Sequence, residues 1–244
     1  MRSRARKEQA THLTATAHTH IGRVRTSNED RAVGLANLVA VADGMGGHPG
    51  GETAAGLAIT IVEAAYRGRS VDELAAAVRA ANTAVLERAT TDERLAGMGT
   101  TMCAAGLTHD EQLAVVNVGD SRAYLLRNGS LKRLTTDHTL TAELVRQGEI
   151  TEDEASTHPH RSILTRAVGV APTVDVDSVA QTAIAGDRLV LCSDGLFNEV
   201  PDEQLKVLVD SNADPDVAAN ALIDHALNNG GRDNITVVIA DIGA

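Results

Sequence analysis

Four aspartates stand where apolar strands are expected to begin or end. Asp43 follows Val39-Ala40-Val41-Ala42, Asp120 follows Val115-Val116-Asn117-Val118-Gly119, Asp194 follows Leu189 to Ser193, and Asp233 precedes Ile235-Thr236-Val237-Val238. Each alone reads as an ordinary turn residue, because Asp before Gly often closes a strand. As a set they point to chemistry. A carboxylate at the end of a buried strand loses hydration, and an uncompensated charge there is costly. Clustered carboxylates also repel one another. A divalent cation removes both costs, and an oxygen-only donor set selects Mg²⁺, Mn²⁺ or Ca²⁺ over zinc or copper. A second group runs from Gly22 to Asp30 and places Arg25 ahead of Glu29 and Asp30. The guanidinium fork of Arg25 suits a phosphate, and the acidic pair suits waters on a metal. A solvated charged loop is the plain alternative.

The elements that must position these residues follow from pattern. Leu38 to Ala42 reads as a buried strand that stops at the glycine-rich stretch Asp43-Gly44-Met45-Gly46-Gly47. Glu52 to Tyr66 reads as a helix. Ser70 is placed to cap the next helix, with Glu73 three residues on completing a capping box, and Leu74, Val78, Val85 and Leu86 give that helix its core face. Leu13 to His20 is expected as an edge strand, and Gly99 to Leu107, Leu113 to Val118 and Ala123 to Leu126 as further strands. Asn128-Gly129 marks a tight hairpin. Leu140 to Gln147 reads as a helix, and Gly148 to His160 as a polar, mobile flap. Val174 to Val179 and Arg188 to Cys192 read as strands, Pro201 to Asp210 and Asp214 to Leu227 as helices, and Ile235 to Ala240 as the last strand. Strands and paired helices thus come in blocks, which suits an α+β sandwich better than strict βαβ alternation.

Composition sets the limits. The 244 residues fit one large domain or two small ones and bury a sizeable core. One Phe, two Tyr and no Trp leave the core to Ala, Val, Leu and Ile and argue against base stacking. The net charge of -11 opposes nucleic acid and anionic membranes. No apolar run reaches the roughly 18 residues of a membrane span. Residues 1–11 carry Arg2, Arg4, Arg6 and Lys7 without the apolar stretch of a signal peptide, so they read as a disordered basic arm ahead of a single domain over 12–244. Cys103 and Cys192 sit in apolar runs as inert buried thiols, with no Cys or His at zinc spacing.

Together these blocks resemble the metal-dependent protein phosphatases, the type-2C serine/threonine family, in its compact bacterial form. The matches run in order: Gly22 to Asp30, Asp43-Gly44-Met45-Gly46-Gly47, Gly99-Thr100-Thr101, Asn117 to Arg122, Leu164 to Gly169, Ser193-Asp194-Gly195-Leu196, and Gly231 to Thr236. The resemblance implies a four-layer α-β-β-α sandwich of two antiparallel sheets flanked by helices. It implies an enzyme that hydrolyses phosphoserine and phosphothreonine in proteins by a metal-activated water at a two-ion Mn²⁺ or Mg²⁺ centre. Carried over residue by residue, Asp43 bridges the ions and the Gly44 carbonyl binds the first. Asp194 and Asp233 hold the second, and Asp120 shares a third, weaker ion with Asp194. Glu29 and Asp30 orient metal waters, Arg25 binds the phosphate, and a flap near 146–162 shapes access. Substrates would be phosphoproteins, with a Ser/Thr kinase as natural opponent, in the cytoplasm and as a monomer. Animal members carry a histidine where this chain has Met45. That leaves a metal-bound water, or a flap histidine such as His158, as the acid for the leaving alcohol. His48 reads as solvated and His138 as structural.

Three competing readings are weaker. Loss of a metal aspartate would favour a regulatory module, but every matching aspartate is present. A histidine-rich ligand set would favour another metallohydrolase, and these blocks lack one. A P-loop would need Gly-Lys-Ser/Thr after Asp43 to Gly47, and none follows.

Overall fold

The computed structural model describes residues 11–47 and 49–243. Residues 1–10 of the basic arm expected over 1–11, and His48, therefore lie outside the described residues. In chain order the elements are β1 (His12–His20), β2 (Arg31–Gly34), β3 (Leu38–Ala42), β4 (Gly44–Met45), α1 (Gly50–Ala65), α2 (Val71–Thr91), β5 (Gly99–Thr100), β6 (Met102–Leu107), β7 (Gln112–Val118), β8 (Arg122–Arg127) and β9 (Ser130–Arg133). There follow α3 (Leu140–Gln147), α4 (Glu152–Thr157), β10 (Asp177–Thr182), β11 (Arg188–Cys192), α5 (Asp194–Phe197), α6 (Asp202–Ser211), α7 (Pro215–Asn228) and β12 (Ile235–Gly243).

Two five-stranded antiparallel sheets carry the fold, one ordered β1-β12-β11-β8-β9 and the other β10-β7-β6-β3-β2. Strand β3 explains why its sequence is an unbroken apolar run. Val39 and Val41, beside Cys103 of the same sheet, face the opposing sheet, where they pack with Leu125, Leu191 and Val238. Leu38, Ala40 and Ala42 face outward and are covered by Ala54, Ala58 and Val62 of α1 and Leu74 and Val78 of α2. A strand buried on both faces needs no polar alternation. On the other side, Leu205, Val209, Leu222 and Ala226 of α6 and α7 cover Val190, Val237 and Ile239. The layers are therefore α-β-β-α, as expected.

Several local expectations are corrected. The strand expected over 174–179 begins later, as β10 at Asp177; Val174 and Val176 instead pack against the α1–α2 core. The strand expected over 99–107 is interrupted at Thr101. Ser70 does accept from the Glu73 amide, but the Glu73 carboxylate turns outward to the Arg67 and Arg69 amides, so the capping box is not reciprocal. The polar segment 148–160 holds a short helix, α4, started by a true capping box between Thr151 and Glu154. The hairpin at Asn128-Gly129 is as expected, with φ of 52° and 72° at the two residues, the positive values that a type I′ turn requires. Cys103 and Cys192 are fully buried, unpaired thiols, each pushed up by burial. Among the described residues, no helix is long and apolar enough to cross a membrane.

Candidate metal centre

The aspartates converge at one end of the sandwich because strand ends from both sheets meet there. Asp43 follows β3 directly. Its amide donates to Thr101 Oγ1 at 2.9 Å, and its carbonyl accepts from the Thr101 amide and Thr100 Oγ1, each at 2.9 Å. Thr101 Oγ1 in turn lies 2.8 Å from Ser121 Oγ, so β5, β6 and the turn before β8 brace one another. Asp194 opens the short helix α5, and Asp120 lies between β7 and β8. Asp233 lies two residues before β12, where its Oδ1 accepts from the Asn234 amide at 2.8 Å.

The loop from 21 to 30 is stapled to this end by Asn234. Its Nδ2 donates to the Ile21 and Ser27 carbonyls at 2.9 Å, and its Oδ1 accepts from the Glu29 amide at 2.9 Å. Asp30 is fully buried. Its Oδ2 accepts from Ser193 Oγ at 2.7 Å, while Oδ1 has no hydrogen-bond partner. Arg25 Nη2 donates to Asp233 Oδ2 at 2.7 Å.

Glycines are required where backbones meet. A Cβ on Gly44 would stand 2.2 Å from the Gly51 carbonyl oxygen, and one on Gly195 would stand 2.0 Å from that of Asn234. A Cβ on Gly51 would fall 1.9 Å from Glu29 Oε2. These contacts bring the Asp43-Gly44 turn, the start of α1 and Glu29 into one cluster.

The electrostatics of the group are those of an uncompensated anionic site. Burial first, and then Asp30, Asp194, Asp120 and Asp233, push the Asp43 carboxyl well above its ordinary range. Asp194 is pushed up to about 8, by burial and then by Asp120 and Asp233. Asp30 is pushed up to about 6, chiefly by burial, and Asp120 to about 6 by burial and then by Asp137. Asp43 and Asp194 remain partly open, so protein walls them in without sealing them. Among the described residues, no three His, Cys, Asp or Glu side chains close on a single point to hold one ion. The cluster is looser than a zinc cage. Ions of the magnesium class need only one or two carboxylates each and keep several waters. The orphaned, buried Asp30 Oδ1 and the all-oxygen donor set fit such an ion.

Asp120 and Asp194 also line a cleft of about 620 Å³ whose outer wall is the α3–α4 segment. His158 is not among its lining residues; its Nδ1 accepts from the His160 amide at 3.1 Å. Met45 sits in a two-stranded ribbon with Gly99. His138 is structural, as expected. It is buried, and its Nδ1 accepts from the Gly119 amide at 3.0 Å. The proton therefore sits on Nε2, which lies 3.1 Å from Asp177 Oδ2 without regular hydrogen-bond geometry. The block Leu164 to Gly169 carries scaffolding: Val168 pairs with Thr100, and the Gly169 amide donates to Asn82 Oδ1 at 2.7 Å. Asn234, Ser193 and Thr101 were not singled out from the sequence, although all three lie inside blocks that were.

A two-sheet sandwich with helices on both faces and an aspartate cluster at one end defines the metal-dependent phosphatase class. The sequence model of the protein phosphatase 2C family matches residues 20–223, and the chain belongs to that family. It is 43% identical over 239 residues to the serine/threonine protein phosphatase PstP of Mycobacterium tuberculosis, covering 94% of this chain and 45% of that protein. It therefore spans about half the length of that relative. It is 38% identical over 240 residues to the serine/threonine phosphatase Stp of Listeria welshimeri, covering 93% of this chain and 95% of that one. The fold matches a crystal structure of the PstP catalytic domain in complex with two manganese ions, with a TM-score of 0.88, 38% identity, and coverage of 96% of this chain and all of that one.

Proposed function

We propose that this protein is a serine/threonine protein phosphatase that hydrolyses phosphoserine and phosphothreonine monoesters in proteins at a binuclear Mn²⁺ or Mg²⁺ centre. The observation that carries the reading is the convergence of Asp30, Asp43, Asp120, Asp194 and Asp233 from five separate stretches of chain, where burial and neighbouring carboxylates push the Asp43 and Asp194 carboxyls up. In this reading Asp43 and the Gly44 carbonyl hold one ion, Asp43, Asp194 and Asp233 the other, and Asp120 with Asp194 a third, weaker one. When bound, such ions supply positive charge that acidifies water and offsets the charge of a phosphoryl group.

The chain's own residues do the rest. Glu29 and Asp30 accept hydrogen bonds and so orient water; the free Asp30 Oδ1 supports that role. Arg25 presents its guanidinium to the phosphoryl oxygens once Asp233 turns to an ion. No nucleophilic thiol is called for, which agrees with two buried cysteines. The setting this reading implies is kinase-opposed signalling in a bacterial cytoplasm, by a monomer whose single catalytic domain covers 12–244 and whose flap lies near 146–162, around α4.

The test is hydrolysis of p-nitrophenyl phosphate and a phosphothreonine peptide with Mn²⁺, Mg²⁺ or a chelator, for the parent protein and Asp194→Ala. Metal-dependent turnover that disappears in the variant is expected. A folded, metal-loaded protein that turns over neither substrate would overturn the reading.

A further inference from the structure

The cleft that opens from Asp120 and Asp194 carries four arginines on its walls, in a chain of net charge -11. Two of them share one carboxylate within the protein. Arg122 Nη2 lies 2.8 Å from Asp137 Oδ2 and its guanidinium lies 3.6 Å over the Phe197 ring, while Arg133 pairs with the same Asp137.

The other two do not. Arg146, on α3, has its nearest carboxylate in Glu143 at 3.8 Å, a loose contact within one helix turn. Arg161, in the turn after α4, has no carboxylate partner among the described residues. Both are exposed, and both lie on the segment that runs from α3 through the turn after α4. Glu152 is the one carboxylate that this segment adds to the cleft. The wall facing the aspartates therefore presents two available guanidinium forks against one carboxylate. Such forks match carboxylates in two-point geometry. Because Asp120 and Asp194 line this cleft, residues flanking a phosphate held at the aspartate cluster are within its reach.

We propose that Arg146 and Arg161 form a specificity subsite for Asp or Glu side chains flanking the phosphorylated residue, so that acidic phosphopeptides are the favoured substrates. This rests on the phosphatase reading.

The test compares three substrates: p-nitrophenyl phosphate, a phosphothreonine peptide with neutral flanks, and the same peptide with Asp and Glu flanks. The proteins are the parent, Arg161→Ala, Arg161→Glu and the double variant Arg146→Ala/Arg161→Ala, each checked for unchanged thermal melting. The parent should prefer the acidic peptide by about tenfold in kcat/KM, the effect of one charged contact. The double variant should lose that preference, mainly through KM, with p-nitrophenyl phosphate unaffected. Arg161→Glu should reverse the preference, and added salt should shrink it in the parent. Equal turnover of both peptides by the parent, or an equal loss on all three substrates in the variants, would overturn the subsite. Failure of the parent on p-nitrophenyl phosphate with Mn²⁺ would count against the phosphatase reading alone. Fluorescence anisotropy of the labelled acidic and neutral peptides would then decide the subsite by the same pattern across the same proteins.

Discussion

Arg25 Nη2 lies 2.7 Å from Asp233 Oδ2. The guanidinium assigned to substrate phosphate thus rests on a carboxylate assigned to an ion, and the two roles are exclusive for that oxygen. Arg25→Ala should lower kcat/KM on a phosphothreonine peptide by about 100-fold, the scale of removing one preorganised charge donor from a reacting oxyanion. Manganese affinity should hold or rise, since a competitor for Asp233 is gone. Steady-state kinetics with calorimetric Mn²⁺ titration would check this. A large loss of metal affinity would place Arg25 in the scaffold.

Occupation by metal should stabilise the fold. Ions that bind only the folded state at a hundred times their Kd add about 2.7 kcal/mol. For a chain of this size each kcal/mol raises Tm by roughly 2–4 °C. Saturating Mn²⁺ should therefore raise Tm by about 5–10 °C, reversibly on chelation. Asp43→Asn should abolish most of that gain, as read by differential scanning calorimetry.

The pH dependence of the chelated protein follows from the raised carboxyls. Asp30 is pushed up to about 6 and Asp194 to about 8, from an ordinary 3.8. The fold favours their protonated forms, so their contribution is complete below pH 3.8 and is lost as pH rises through 6 and then 8. Tm of the metal-free protein should fall between pH 5 and 8. With Mn²⁺ the profile should flatten. A metal-free Tm that climbs over this range would contradict the clustering of the carboxylates.

Gly44→Ala should be costly for a backbone reason. Its Cβ would stand 2.2 Å from the Gly51 carbonyl oxygen and 2.7 Å from that of Glu29. Overpacking of this kind costs about 1–3 kcal/mol. The expected result is a Tm lower by several degrees together with weaker Mn²⁺ binding. An unchanged melting curve would show that the turn can move apart.

Arg188 tests stability far from the cluster. It is buried, holds Asp241 at 2.6 and 2.8 Å, and donates to the carbonyls of Val209, Asn212 and Ala213. It thereby ties the α6–α7 connection to β11 and β12. Arg188→Met removes these bonds from the partly exposed Asp241 and from those carbonyls, at a cost of about 1–3 kcal/mol in a urea melt. Metal-dependent activity should persist at low temperature in the folded fraction.

The sequence by itself determined most element types, the α+β class and the residues proposed for the aspartate cluster, while the four-layer order was implied by the family resemblance. Those signals are local. The apolar run of β3 reports burial on both faces, Asn128-Gly129 reports positive φ, and each Asp stands at a strand end within a few residues of the pattern that predicts it. Tertiary structure alone decided the rest, because the partners are distant in the chain. That Glu73 turns to Arg67 and Arg69, that Val174 and Val176 fill the helix core while β10 starts at Asp177, and that Asn234 staples the loop ahead of Glu29 all depend on what packs nearby. Asp30 is legible as a charged residue in a loop. Its burial, its bond to Ser193 across 163 positions and its free Oδ1 arise only when two sheets bring strand ends together, where desolvation and mutual repulsion turn ordinary turn residues into the proposed cation site.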